Sequence, residues 1–220
     1  MIFGLVREGA TDQSVITNII YGVFGSKDTE VNILPSSGDA TNRGVGPLHS
    51  NWELVLQYIS SGEFAEAFEN SDFHYIVIHV DTDVCDHANF DVSKRDEEGN
   101  SLDPLELIKR VQANLIERID PHFWTNHSSQ IIFAIAVDSV ECWLLPLYVT
   151  AQQKAKYSGC LEALNRALKK RDRHPINPDR KDPRYYDEIS KSYSRHRELS
   201  EHYQKNDGLR IFVKRLREIP

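Results

Sequence analysis

The run Tyr75-Ile76-Val77-Ile78-His79-Val80 stops abruptly at Asp81-Thr82-Asp83. An almost unbroken apolar run, rich in β-branched residues, is how a strand buried on both faces of a parallel sheet reads. Unpaired carboxylates are costly to bury, so Asp81 and Asp83 belong at the strand's carboxyl tip, where open α/β sheets place their ligands. They flank Thr82 and would share one face of a regular strand. Two hard oxygen donors pointing the same way repel each other unless a cation lies between them, and Mg2+ is the usual one. The plainer alternative is a strand end with two solvated aspartates. His79, inside the run, reads as a core histidine with satisfied ring nitrogens.

The remaining elements order themselves around this strand. Residues 2–7 form a short apolar strand running into Glu8-Gly9-Ala10-Thr11-Asp12, where Gly9 permits a turn and Thr11 or Asp12 can cap a helix. That helix should bury Val15, Ile16, Ile19 and Ile20. Residues 30–34 read as a strand, 35–47 as a mobile connection in which Arg43 could face a phosphate, and 52–59 and 64–68 as helical. Residues 84–101 are polar and read as a surface excursion. Asp103-Pro104 marks a helix start, with Leu107, Ile108, Val111, Leu115 and Ile119 as its apolar stripe. Residues 130–137 form another buried strand, followed by Asp138 and by a helix from Glu141. Strand and helix alternate four times, which predicts an α/β fold with a mostly parallel sheet and helices on both faces. From about residue 151 onward no strand is legible; helices are expected over 161–168, 185–203 and 209–216. The division is thus 1–150 for the sheet domain and 151–220 for a basic helical extension.

At 220 residues, 40% hydrophobic and 27% charged, the chain has material for a real core. No apolar run is long enough to span a bilayer, and acidic residues come too early for a signal peptide. Cys85, Cys142 and Cys160 are odd in number and form no CxxC pair, which argues against a disulfide framework and against structural zinc. A cytoplasmic location is the resulting expectation. Residues 1–162 hold 10 basic and 24 acidic residues and residues 163–220 hold 16 and 9, so a body of charge -14 carries a segment of +7. Such a division suggests a metal site beside an anion-binding surface.

Acids follow three of the four strands: Glu8, then Asp81 and Asp83, then Asp138 with Glu141. In a parallel sheet these ends share one edge. Carboxylates gathered there would bind one or two divalent cations, which stabilise the attacking and leaving oxygens of phosphoryl transfer. For Asp12 a helix cap, and for Asp138 a turn residue, are the simpler roles.

A strand followed by Glu8-Gly9-Ala10-Thr11-Asp12, then a strand followed by Asp81-Thr82-Asp83, resembles the toprim domain of topoisomerases, primases, recombination proteins and OLD-type nucleases. Ser139-Val140-Glu141-Cys142-Trp143-Leu144-Leu145 resembles the acid-x-Trp-Leu-Leu element of small bacterial toprim-like proteins. The resemblance covers residues 1–150. It implies a toprim-like Rossmannoid sheet, with Glu8 as metal ligand or general acid/base and Asp81 and Asp83 as the metal-binding pair. Glu141 would complete the site, and Asp138 is a further candidate ligand. It implies a nuclease dependent on Mg2+ or Mn2+, acting on DNA or RNA, and a role in antiphage defence. The sequence shows no P-loop, so an ATPase used by such a nuclease would be a separate chain.

Other readings stay open. The chain could be a non-catalytic toprim-like module serving as partner of that ATPase. A phosphatase or nucleotidyl transferase is less well matched, because Cys85 occupies the Thr/Val position of the pattern D-x-D-x-[TV] and the pattern sits mid-chain. Lys169, Lys170, Arg171, Arg173, Arg180, Lys181 and Arg184 stand near Tyr185 and Tyr186. Cations among aromatics suit phosphate contacts and base stacking, which makes nucleic acid the expected partner. A solvated helix face, or contact with the acidic body of a second copy in a homo-oligomer, is the alternative.

Overall fold

The computed structural model describes residues 1–35, 51–149 and 156–220. Arg43 and nearly all of the predicted connection around it lie outside them. Four strands, β1 (Ile2–Val6), β2 (Glu30–Leu34), β3 (Tyr75–Asp81) and β4 (Ile131–Ala136), form one sheet in the order β2-β1-β3-β4. All three pairings are parallel, with Val6 beside Ile78 and Asp81 beside Ala136. The chain therefore has the expected α/β architecture, a Rossmann-like parallel sheet flanked by helices.

Strand alternation divides the apolar side chains between two cores. On one face Val6, Ile76, Ile78, Val80, Ile131, Phe133 and Ile135 pack beneath four helices, α2 (Asn51–Ile59), α3 (Gly62–Glu69), α4 (Pro104–Arg118) and α5 (Pro121–His127). Two of these helices start by the same device. The Asp103 carboxylate accepts the Leu105 N–H at 2.9 Å and the Asp120 carboxylate accepts the Phe123 N–H at 2.8 Å, each with proline at the first helical position. The excursion at 84–101 is polar outside but is pinned to this core by Cys85, Phe90 and Val92, all buried.

The opposite face carries Phe3, Leu5, Val77, Ile132 and Ala134 and is covered by α1 (Ala10–Phe24) together with the carboxyl-terminal helices. These are α6 (Glu141–Tyr148), α7 (Cys160–Lys169), α8 (Pro183–Ser190), α9 (His196–His202) and α10 (Asp207–Arg217). Trp143, Leu164, Tyr186, Tyr193, Leu209 and Phe212 are fully buried among them, and Trp143 stacks on Phe212 with centroids 5.6 Å apart. Each such side chain stabilises the fold by roughly 1.5–3 kcal/mol, so the segment from 156 onward is part of the core.

Two expectations need correction. The single helix expected over 185–203 is broken: a 3-10 turn, Lys191–Ser194, follows α8, and Arg195 is extended at φ -102 and ψ 120. Ser190 Oγ donates to the Tyr186 carbonyl at 2.6 Å, and the buried Tyr193 hydroxyl donates to the Trp143 carbonyl, which draws the chain inward. It packs so tightly on α1 that a Cβ added at Gly22 would lie 1.9 Å from the Tyr193 carbonyl oxygen. The cysteine reading is also overturned in part, because Cys142 and Cys160 are joined in a disulfide with Cα atoms 5.1 Å apart. Spacing rules see only local motifs; here α6 packing on α7 brings together residues 18 apart in sequence. Among the described residues no helix is long and apolar enough to cross a membrane.

Candidate functional site

The order β2-β1-β3-β4 means that the chain leaves β1 toward one edge of the sheet and β3 toward the other. Between the carboxyl ends of two such strands a crevice opens, and ligands of open α/β sheets bind there. Glu8 follows β1 and Asp81 ends β3, so both stand at this point. Glu8 Oε1 accepts the Asp81 backbone N–H at 2.8 Å, which ties the two strand ends together. Asp12, in the first turn of α1, is buried; its Oδ2 accepts the Gly9 N–H at 2.8 Å. The cap itself is Gly9, not Thr11 or Asp12; Asp12 is the third helical residue and bonds back to the cap, and it also brings a carboxylate oxygen within 4.8 Å of donor atoms on His79 and Asp81.

The tips of β3 and β4 are stitched by Thr82 N–H to the Ala136 carbonyl at 3.0 Å, Asp83 N–H to the Asp138 carbonyl at 3.0 Å, and Asp138 N–H to Thr82 Oγ1 at 2.9 Å. Asp138 adopts φ 69, a left-handed turn conformation that aspartate tolerates. Its carboxylate faces the Cys142–Cys160 pair, whose sulfurs are bonded to each other and offer no thiolate. Asp83 is exposed; its carbonyl accepts from Lys94, whose ammonium also pairs with Asp86 at 3.1 Å. Past β3 the strand geometry ends, so Asp81 and Asp83 are not successive residues of one regular strand face.

Glu141 opens α6 and is buried, with 1% of its surface exposed. Its Oε1 receives the Lys181 ammonium at 2.7 Å and the Tyr186 hydroxyl, while Oε2 is buried without a hydrogen-bond partner. Lys181, read from the sequence as part of the nucleic-acid surface, thus reaches into the carboxylate edge. The other cations stay on the outer surface. Arg171 lies over the Tyr148 ring at 5.0 Å and Arg173 pairs with Glu188 at 2.6 Å. Arg171, Arg173 and Arg180 line an open cleft of about 620 Å3, and Lys169, Lys170 and Arg184 are exposed.

Burial is the dominant force on the acids. It raises Glu8 to about 7, with Asp12 and Asp83 adding repulsion against the opposing pull of His79 and the Asp81 N–H. Asp81 is raised well above its ordinary value for the same reason, Asp138 is also raised by burial, and Asp83, exposed at its surface, is raised by partial desolvation on its inner side and by Asp138 and Glu141. Burial would raise Glu141 too, but Lys181 and Tyr186 outweigh it and hold the carboxyl below its ordinary value. His79 is fully buried, which alone would lower its pKa; Asp81, Asp12 and Glu8 outweigh this and bring it to about 9. Its Nε2 is 3.4 Å from Asp81 Oδ1, close enough for attraction between charges but outside hydrogen-bond geometry, so both atoms remain without a hydrogen bond.

The structure therefore gathers Glu8, Asp12, His79 and Asp81 at one point and sets Glu141 with Lys181 beside them on the same edge. Asp83 and Asp138 border this group from the β3 and β4 tips. Three participants are not evident from the sequence alone, where His79 and Asp12 have structural roles and Lys181 belongs to a different surface. Only the position of His79 two residues before Asp81, on the same face of the strand, could have signalled its part. The donors here that stand close enough to share a divalent cation are those of Asp12, His79 and Asp81, within 4.8 Å of one another, with Asp81 Oδ1 free of hydrogen bonds; Glu141 has a buried free oxygen but stands outside that group. No family model matches the chain, nor does a curated protein or a solved structure.

Proposed function

We propose that this chain is a toprim-like nuclease dependent on Mg2+ or Mn2+ that hydrolyses phosphodiesters of DNA or RNA. The observation that carries this reading is the joining of Glu8 to Asp81 at the crevice between β1 and β3, with Glu141 and a lysine on the same edge. Asp81, with Asp12 within reach, would hold the cation, and Asp83 and Glu141 border it; when bound it polarises a phosphoryl oxygen and offsets its developing charge. Glu8 has a pKa near neutrality, where a general base works best, and is placed to take the proton of an attacking water. Lys181 exchanges its contact with Glu141 for one with the phosphate, supplying positive charge where the transition state is most negative. The outer basic cleft tracks the backbone of the substrate without reading its bases.

The test is incubation of the purified chain with plasmid, single-stranded DNA and RNA, each with Mg2+, Mn2+ or EDTA. Metal-dependent cleavage is expected, with a loss of 100-fold or more in Asp81→Ala and Glu8→Gln, in line with removal of a general base or ligand. Cleavage by both variants at the parent's rate would place the active site elsewhere. A second reading draws on the Lys181–Glu141 pair, which already neutralises part of the cluster. In that reading the chain is a non-catalytic partner of a separately encoded ATPase, and it is the reading that stands if the intact chain cleaves nothing with either metal.

A further inference from the structure

His79 has a geometry that a core histidine does not need. Its Nδ1 lies 2.7 Å from the Ala134 carbonyl oxygen on the adjacent strand, and a carbonyl can only accept, so Nδ1 carries the proton. Nε2 then faces the carboxylate edge, and it is fully buried with no hydrogen bond. A histidine whose one N–H is fixed by a backbone carbonyl has the arrangement of metal-bound histidines once an ion displaces the proton on its other nitrogen. Asp81 Oδ1, itself without a hydrogen bond, stands 3.4 Å from Nε2. That is close to the separation of two adjacent ligands about 2.1 Å from one ion, roughly 3.0 Å in octahedral and roughly 3.4 Å in tetrahedral geometry. Asp12 supplies a third donor within 4.8 Å and is held in place by the Gly9 N–H.

We propose that His79 Nε2, Asp81 and Asp12 form one binding site for a divalent transition-metal ion, and that this imidazole makes the cluster select Mn2+ or a similar transition metal over Mg2+. This inference rests on the reading of Asp81 as a metal ligand. The chemistry behind the selection is that Mg2+ takes oxygen donors and gives up its water reluctantly, whereas borderline transition metals accept mixed imidazole and carboxylate sets. Glu8 and Glu141 border the site, and Lys181 is the nearby cation that a bound metal would have to tolerate or displace.

The experiment titrates the purified full chain with Mn2+ alone and Mg2+ alone by calorimetry, then records pulsed electron paramagnetic resonance on the Mn2+-loaded protein. Mn2+ is expected to bind at least about tenfold more tightly than Mg2+, with a nitrogen coupling characteristic of imidazole. His79→Gln should lose that coupling and most of the preference for Mn2+. His202→Gln should retain both; it controls for Glu198, Glu201 and His202, another cluster with metal-ligand spacing among the described residues. If His79→Gln fails to fold, the parent and His202→Gln spectra decide the matter between them. Bound Mn2+ without nitrogen coupling, or coupling that disappears in His202→Gln, overturns the role of His79 and leaves the carboxylates as ligands. Absence of Mn2+ binding overturns this inference; absence of binding by either metal, or binding untouched by Asp81→Ala, overturns the metal-dependent reading of the site as well.

Discussion

Glu8 and His79 are the residues at which the cost of this cluster can be measured. The Glu8 pKa is raised to about 7 in the folded chain, so the proton it binds there stabilises the fold below its ordinary carboxylate value, and that contribution is lost as pH rises through 7. His79, raised to about 9, contributes stability below its ordinary value that is lost as pH rises through 9. Both act in the same direction. Thermal unfolding in EDTA should therefore show a melting temperature that falls from pH 5 to pH 9, and Mn2+ should restore it most above pH 7, where the carboxylates are free to bind. Glu8→Gln removes the charge and keeps an oxygen for the Asp81 N–H; at pH 8 in EDTA it should stabilise the protein by about 1–3 kcal/mol, and at pH 4 by almost nothing. A melting temperature that rises with pH in EDTA would contradict the burial of these groups. At this scale the sequence was a partial guide. Glu8, Asp81 and Glu141 were legible because acids after apolar runs stand out. His79 and Lys181 were not, since a histidine in a strand and a lysine in a basic run take their meaning from neighbours many residues away.

Among the elements, β3, β4 and α4 were legible almost to the residue, because long apolar runs and an Asp-Pro cap leave few alternatives. The break between α8 and α9 was hidden: it depends on Tyr193 reaching the Trp143 carbonyl, a contact that no local periodicity encodes. The tie between α6 and α7 was hidden in the same way. Because α6 carries Glu141, the Cys142–Cys160 bond holds the helix that presents one wall of the site. Closing a loop of this size stabilises a fold by about 2–4 kcal/mol, so Cys142→Ser in non-reducing buffer, or the parent chain treated with a reductant, should melt at a lower temperature than the untreated parent. The Cys85 thiol, buried and unbonded, should not respond. An unchanged melting temperature on reduction would mean that the two thiols are not joined in solution.

For the whole molecule, the division of charge acquires a spatial meaning. The acidic sheet edge and the basic carboxyl-terminal segment meet at Lys181 and Glu141, and Arg171, Arg173 and Arg180 line the outer cleft. If that cleft binds a nucleic-acid backbone, affinity should fall with salt at about -0.9 in log K per log salt for each phosphate contact on duplex DNA. Replacing Lys169, Lys170, Arg171 and Arg173 with alanine should reduce that slope by up to roughly three units, with Arg173 counting least because Glu188 already engages it. A slope equal to the parent's would make the cleft a plain solvated surface. One feature also sets an order in time. The carboxylates of this edge lie within the first 141 residues, whereas Lys181 and the helix bearing Tyr186 come from the last quarter of the chain. A ribosome partway through the message therefore holds a chain whose acids are made but whose lysine is still unmade or inside the exit tunnel. Until residues 181–186 have emerged, Glu141 lacks both of these partners, so this wall of the edge can form only after they have followed it.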